Sequence, residues 1–231
     1  MGNVFFNRGS IYLSGGMQFA EDLGSGWRQY VANKLFAMRY YPIDITALDK
    51  RYNEKHGNLY FTEKNGNHLQ YKSNVRQHFI HADIELVEKH SHAVILYYDE
   101  SVRRGAGTIS EAQVAYNNDI PLFVVSKWED WVNEVPGWLQ GLSTRIFTQF
   151  DDMLAYLDKL PEGILKRDMY GNRGVNNDYL CGLCGEVFHK ERHHFVSRVN
   201  PTYCKTCVDV ITETHEGHPD RYQFMMNVLG E

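Results

Sequence analysis

Residues 93–116, AVILYYDESVRRGAGTISEAQVAY, decide the fold. The apolar run 93–98 is continuous and not alternating, as in a strand of a parallel sheet covered on both faces. Gly105 and Gly107 mark the turn that follows, and residues 107–117 read as a helix. The same unit recurs outward from this stretch. Ser10-Ile-Tyr-Leu-Ser14 runs into Gly15 and Gly16, and residues 19–38 carry Trp27, Val31 and Leu35 along one helical face. Residues 39–44 read as a strand, 75–89 as a helix and 122–126 as another buried strand. Residues 145–150 read as a last strand before a helix over 151–160. Residues 49–74 are polar and irregular, too long for an ordinary connection, and read as a functional loop or lid. Strands alternating with helices predict a doubly wound, mostly parallel α/β sheet of the Rossmann or flavodoxin-like kind over residues 9–160.

Composition bounds the rest. The chain has 231 residues, 24 Lys+Arg against 29 Asp+Glu, and 43% hydrophobic residues, enough for one full domain and a small appendage. No apolar run reaches the roughly 20 residues of a membrane span, and the N-terminal residues lack a signal-peptide core. A cytoplasmic protein without membrane partners is expected. A pI near 6.1 gives no charge-based support for nucleic-acid binding.

All four cysteines fall in the last quarter of the chain, as Cys181-x-x-Cys184 and Cys204-x-x-Cys207. Two knuckles of this spacing fit a four-thiolate structural zinc site, with an iron–sulfur centre as the alternative. Clustering also argues against a disulfide framework. Residues 161–178 are polar and glycine-bearing and read as a linker, leaving 179–231 as a small zinc-ribbon-like module. Lys190, Arg192 and Arg198 make a basic patch there, but residues 161–231 hold eight basic against ten acidic residues. That balance disfavours a grip on a phosphate backbone.

Ligands of such sheets bind at the carboxyl ends of the strands. Three segments bring polar residues to that edge: Ser14-Gly15-Gly16, Asp44, and Asp99 through Glu111. Thr108 reads as an N-cap, and a helix start offers free N–H groups to an anion. Glu111 then has two readings. It either closes a capping box with Thr108 and complements the helix dipole, or it sits beside a bound ligand.

The ordered set Ile11-Tyr-Leu-Ser-Gly-Gly16, His81-Ala-Asp-Ile-Glu-Leu-Val87 and Gly107-Thr-Ile-Ser-Glu-Ala-Gln-Val-Ala-Tyr116 resembles the nucleoside 2-deoxyribosyltransferase superfamily, which includes 2′-deoxynucleoside 5′-phosphate N-hydrolases. The resemblance covers about residues 10–160. It implies that Glu111 is the nucleophile of a retaining displacement at the anomeric carbon, that Tyr12 orients it, and that Asp83 lies near the leaving base. Ordinary alternatives are a buried strand tyrosine and a helix-surface aspartate. In the transferases a further carboxylate precedes the nucleophile, where this chain has Arg103-Arg104-Gly105. The N-hydrolases have small or hydroxyl residues there, against a 5′-phosphate. Arginine forks suit phosphate, so Ser101, Arg103, Arg104, Gly105 and Gly107, with Ser14, Gly15 and Gly16, are expected to bind a nucleoside 5′-monophosphate. Solvated loop arginines are the plain alternative. Gly105-Ala-Gly-Thr-Ile-Ser-Glu111 also fits the Gly-x-Gly-Thr-x-x-Glu pattern of ribosyl-nucleotide hydrolases. Members of the superfamily commonly oligomerise, and Trp128, Trp131 and Trp138 are candidates for such a contact. A non-catalytic nucleotide-binding protein, or a nucleic-acid-associated one using its zinc module, are the competing expectations.

Overall fold

A computed structural model of the chain describes residues 6–56, 67–166, 174–176, 178–189, 193–195 and 202–217. Five parallel strands form its centre: β1 (Ser10–Gly15), β2 (Tyr41–Ile43), β3 (Ala93–Tyr98), β4 (Leu122–Ser126) and β5 (Arg145–Phe147), in the order β2-β1-β3-β4-β5. All four pairings are parallel. The chain leaves β1 toward β2 on one side and returns to β3 on the other, so the strand order reverses between β1 and β3. This is the flavodoxin-like switch point, where the ends of two strands diverge and leave a crevice.

Helices cover both faces. Helices α1 (Ser25–Ala37) and α8 (Phe150–Lys159) lie on one, where Val31, Leu35, Met153 and Leu157 pack on Ile11, Leu13, Ile95 and Phe123. On the other, α4 (His81–His90), α5 (Gly107–Asn117) and α7 (Gly137–Leu142) bring Val87, Ala112, Ala115 and Leu139 against Tyr12, Val94, Leu96 and Val124. Strand alternation thus sends Ile11 and Leu13 to one core and Tyr12 to the other. A short α6 (Trp131–Glu134) precedes α7.

Of the polar stretch 49–74, residues 49–56 and 68–74 are helical and not the irregular chain expected, and 57–66 lie outside the described residues. Helix α2 (Ile45–His56) starts on Asp44, whose Oδ1 accepts the Thr46 and Ala47 backbone N–H groups. Helix α3 (His68–Asn74) starts on Asn67, whose Oδ1 accepts the Gln70 N–H at 3.1 Å. Caps, and not a long apolar stripe, mark these helices, so periodicity alone misses them. A π-helical stretch, Val75–Ile80, joins α3 to α4.

The C-terminal part forms a three-stranded antiparallel sheet, β6 (Gly174–Val175), β7 (Asp178–Leu180) and β8 (Val187–His189). A two-stranded sheet, β9 (His193–Phe195) with β10 (Thr202–Cys204), leads into α9 (Lys205–Gly217). It is docked, not tethered. Leu180 joins the α1/α8 core, Tyr156 donates to the Gly185 carbonyl at 2.5 Å, and Arg145 pairs with Glu186 at 2.7 Å. Within the segment read as a linker, Ile164 and Leu165 are fully buried in the same core. Lys190, Arg192 and Arg198 lie outside the described residues.

Leu165→Ala should therefore destabilise the whole chain by about 2–5 kcal/mol, the usual range for an emptied core position. Urea unfolding checks this, and an unchanged midpoint would show that 161–166 only tethers.

Candidate functional site

Glu111 stands on the buried face of α5 with Thr108, Ala112 and Ala115. Its carboxylate accepts the Tyr12 hydroxyl at 3.0 Å on Oε1 and the Ser14 hydroxyl at 2.5 Å on Oε2. Both donors come from β1, two residues apart, because alternate residues of a strand face the same side. The carboxylate thus bridges the switch point from the β3–α5 connection to the end of β1. The capping-box reading does not hold. The helix begins at Gly107, its cap position is Ala106 without a side-chain bond, and Thr108 is buried inside the first turn.

Burial pushes the Glu111 carboxyl upward in pKa, while the Ser14 and Tyr12 hydroxyls and the charge of Arg28 pull it back. Tyr12 is held well above the ordinary phenol value by burial and by Glu111, so it stays a donor. Asp83, on α4, is raised to about 8, first by burial and then by Glu111 and Asp49. At neutral pH it carries its proton. Asp49, on α2, is raised by burial, opposed by Arg28 and reinforced by Asp44.

Asp83 and Asp49 line one cavity of about 350 Å³ between α2 and the α3–α4 segment. Ile45, Leu48, Phe79 and Leu86 give it apolar walls, and Tyr52 and His78 face each other with ring centroids 6.0 Å apart. The π-helical turn supplies Gln77, His78 and Phe79, a place where such distortions often serve a site.

The candidate anion-binding residues divide in their surroundings. Asp99 caps its own loop: Oδ1 accepts the Ser101 hydroxyl at 2.5 Å and the Ser101 and Val102 N–H groups. Asp44 caps α2. Arg103 is engaged, paired with Glu134 at 2.5 Å and stacked 3.9 Å from the Trp128 ring. Arg104 lies 4.3 Å over Phe19 and meets no carboxylate among the described residues. Gly16 must be glycine, since a Cβ there would come within 1.8 Å of the Ser101 hydroxyl. A Cβ at Gly15 would strike Trp27 at 2.8 Å, whereas one at Gly107 would meet nothing within 4 Å. Gly105 is also open, with only the Ser101 carbonyl at 3.8 Å. Among the tryptophans, Trp128 and Trp131 pack against the core while Trp138 is exposed.

Two residues absent from the sequence reading belong to this region. Asp49 lies in the stretch read as irregular. Arg28 is fully buried on the α1 face that carries Val31 and Leu35, where a charge is least expected.

The four cysteine sulfurs lie within 4.8 Å of one another, with Cys184 and Cys204 3.8 Å apart. A tetrahedron of metal–sulfur bonds near 2.3 Å has edges of about 3.8 Å, so the set fits a metal ion. The Cys204 N–H points at the Cys181 sulfur, 3.4 Å away. Gly185, at φ +74°, closes the first knuckle by donating its N–H to the Cys181 carbonyl. The knuckle rests on Arg145, the first residue of the edge strand β5, three strands across the sheet from β1. Among the described residues no helix is long and apolar enough to cross a membrane.

No family model and no curated protein matches this chain.

The folded chain holds a proton on Asp83 up to about pH 8, whereas an unfolded aspartate loses it near 4. Between those values the unfolded state binds fewer protons, so this residue lowers stability as pH rises. Asp83→Asn should remove that loss: its melting temperature should exceed wild type by a margin that grows from pH 5 to 8. Parallel melting curves over that range would refute the buried, protonated Asp83.

Proposed function

We propose that this chain breaks the N-glycosidic bond of (deoxy)nucleoside 5′-monophosphates or nucleosides, by hydrolysis or base transfer, with Glu111 as nucleophile. The observation that carries the reading is the Glu111 carboxylate, buried and bridged to Tyr12 and Ser14 at the β1/β3 switch point. Hydroxyl donors on both oxygens fix its direction and favour the ionised form. The ordered motifs that resemble the nucleoside 2-deoxyribosyltransferase superfamily point to the same residue.

A glutamate oxygen attacks the anomeric carbon as its bond to the base nitrogen breaks. The bonding pair leaves with the base, which takes the proton carried by Asp83. An ester of Glu111 with the sugar results. Water, or a second base, then attacks the same carbon; Glu111 leaves as carboxylate and Asp83 regains a proton. Two displacements give net retention, as in retaining glycosidases. The cavity beside Asp83 has apolar and aromatic walls suited to a planar base. Arg104 and the open backbone at Gly105 and Gly107 suit a 5′-phosphate, with Arg103 already committed to Glu134.

The four thiolates are assigned to a structural zinc ion. The donor set is all sulfur and closed at four, leaving no position for substrate. Its place against the edge strand β5, three strands from β1, supports a structural role.

Free base should appear when the protein is incubated with a panel of nucleosides and their 5′-monophosphates, ribo and 2′-deoxy. Glu111→Gln should lower the rate by at least about a thousandfold, since the covalent step has no substitute. Tight binding without base release by wild type would leave a nucleotide sensor instead. Elemental analysis should find one zinc per chain, lost in Cys184→Ser. Chelation should remove amide protection from β7 and β8 while Glu111-dependent turnover persists.

A further inference from the structure

The Arg28 side chain is 0% exposed, yet no carboxylate lies within ion-pair distance among the described residues. Its guanidinium is spent on three main-chain carbonyls. Nε donates to Leu13 O at 3.1 Å, Nη2 to Gly15 O at 2.8 Å and Nη1 to Gly24 O at 2.9 Å. Leu13 and Gly15 flank Ser14, the residue whose hydroxyl holds Glu111. One planar fork therefore grips both peptides around the donor. The Trp27 ring closes the remaining face, 4.7 Å from the guanidinium carbon.

The surrounding backbone is shaped to this group. Gly24 adopts φ +71°, and a Cβ there would come within 2.3 Å of Nη1. A Cβ at Gly15 would sit 3.4 Å from Nη2 and clash with Trp27. A buried cation costs several kcal/mol unless compensated, and three carbonyl dipoles supply only partial negative charge. Whole negative charges stand around it at longer range. Glu111 faces it from α5, Asp44 from the end of β2, and Asp22 from the loop before α1, with the neutral Tyr12 hydroxyl beside Glu111. Arg28 is also the cation that opposes the upward push on Glu111, Asp83 and Asp49.

We propose that Arg28 is the positioning residue of the Glu111 site: its fork fixes the end of β1 so that Ser14 meets the carboxylate, and its charge is the buried counter-charge of that carboxylate. The inference rests on the reading of Glu111 as nucleophile, because a nucleophile must be both aimed and ionised. It adds a division of labour within one side chain, geometry through the fork and charge through the cation. Lysine keeps the charge and loses the planar fork; glutamine keeps polar character and loses the charge.

The test titrates Glu111 directly, by carboxyl ¹³C NMR of glutamate-labelled full chain, with assignment from Glu111→Gln. In Arg28→Gln the Glu111 midpoint should rise by about one pH unit or more, as expected for loss of a nearby cation in a buried site. In Arg28→Lys, which keeps the charge but loosens Ser14, the midpoint should rise by less than in Arg28→Gln, while kcat for base release falls about tenfold or more at little-changed KM. An unmoved midpoint in folded Arg28→Gln overturns the charge role. Unchanged kcat in Arg28→Lys overturns the clamp. If Arg28→Gln does not fold, Arg28→Lys still decides the clamp, because an unchanged kcat with an unmoved midpoint there contradicts the proposal. If wild type releases no base, the titration still reads the Arg28–Glu111 coupling. Failure of the nucleophile assignment is thereby separated from failure of this one.

Discussion

A carboxylate removed from water must be given donors and counter-charge, or it takes up a proton. Glu111 is the residue on which that constraint falls most heavily, and much of the architecture near it follows. Its two donors require Tyr12 and Ser14 on the same side of β1, which fixes that strand's register against α5. Its helix must start at the β3 turn for Glu111 to reach across the switch point. The loop after β1 must carry glycines, since Gly16 lies against Ser101 and Gly15 against Trp27. Few substitutions there leave the bridge intact.

Burial raises both acidic side chains of this region, and they differ in what opposes it. Glu111 accepts two hydroxyls and feels Arg28, which oppose the upward push of burial without cancelling it. Asp83 faces a cavity with apolar walls, and the negative charges of Glu111 and Asp49 push it further toward the neutral form. Environments that separate the pKa values of neighbouring carboxyls supply an acid and a nucleophile from one kind of side chain. The coupling runs both ways: a charge on Glu111 helps keep the proton on Asp83. The proposed base-leaving step needs an ionised Glu111 and a protonated Asp83 at once.

The legible parts of the fold were those written in short, local patterns. The apolar run of β3 and the glycine turn after it need only a few adjacent residues to be read. The paired Cys-x-x-Cys knuckles are equally compact, and their sulfurs do converge. Helices α2 and α3 were missed because their signal is an Asp or Asn cap on a polar background. Thr108 was placed two residues from the observed cap, since the cap position is Ala106 and Thr108 is buried in the first turn. Arg28 was illegible for a different reason. A charge on an apolar stripe looks like a break in the stripe until its three carbonyl partners, two of them in β1, are known.

The cysteine module lies against the edge strand β5, three strands across one parallel sheet from β1, and that separation has a physical consequence. Whatever binds Arg145 and Tyr156 stabilises the edge of β5 without entering the crevice beyond β1 and β3. The module contributes Leu180 to the α1/α8 core, the same core that holds Leu13 of β1 on the face away from Glu111. A metal ion that orders the knuckle therefore supports the back of the strand whose front carries Tyr12 and Ser14. That support acts through the packing of the sheet and not through contact with the Glu111 carboxylate.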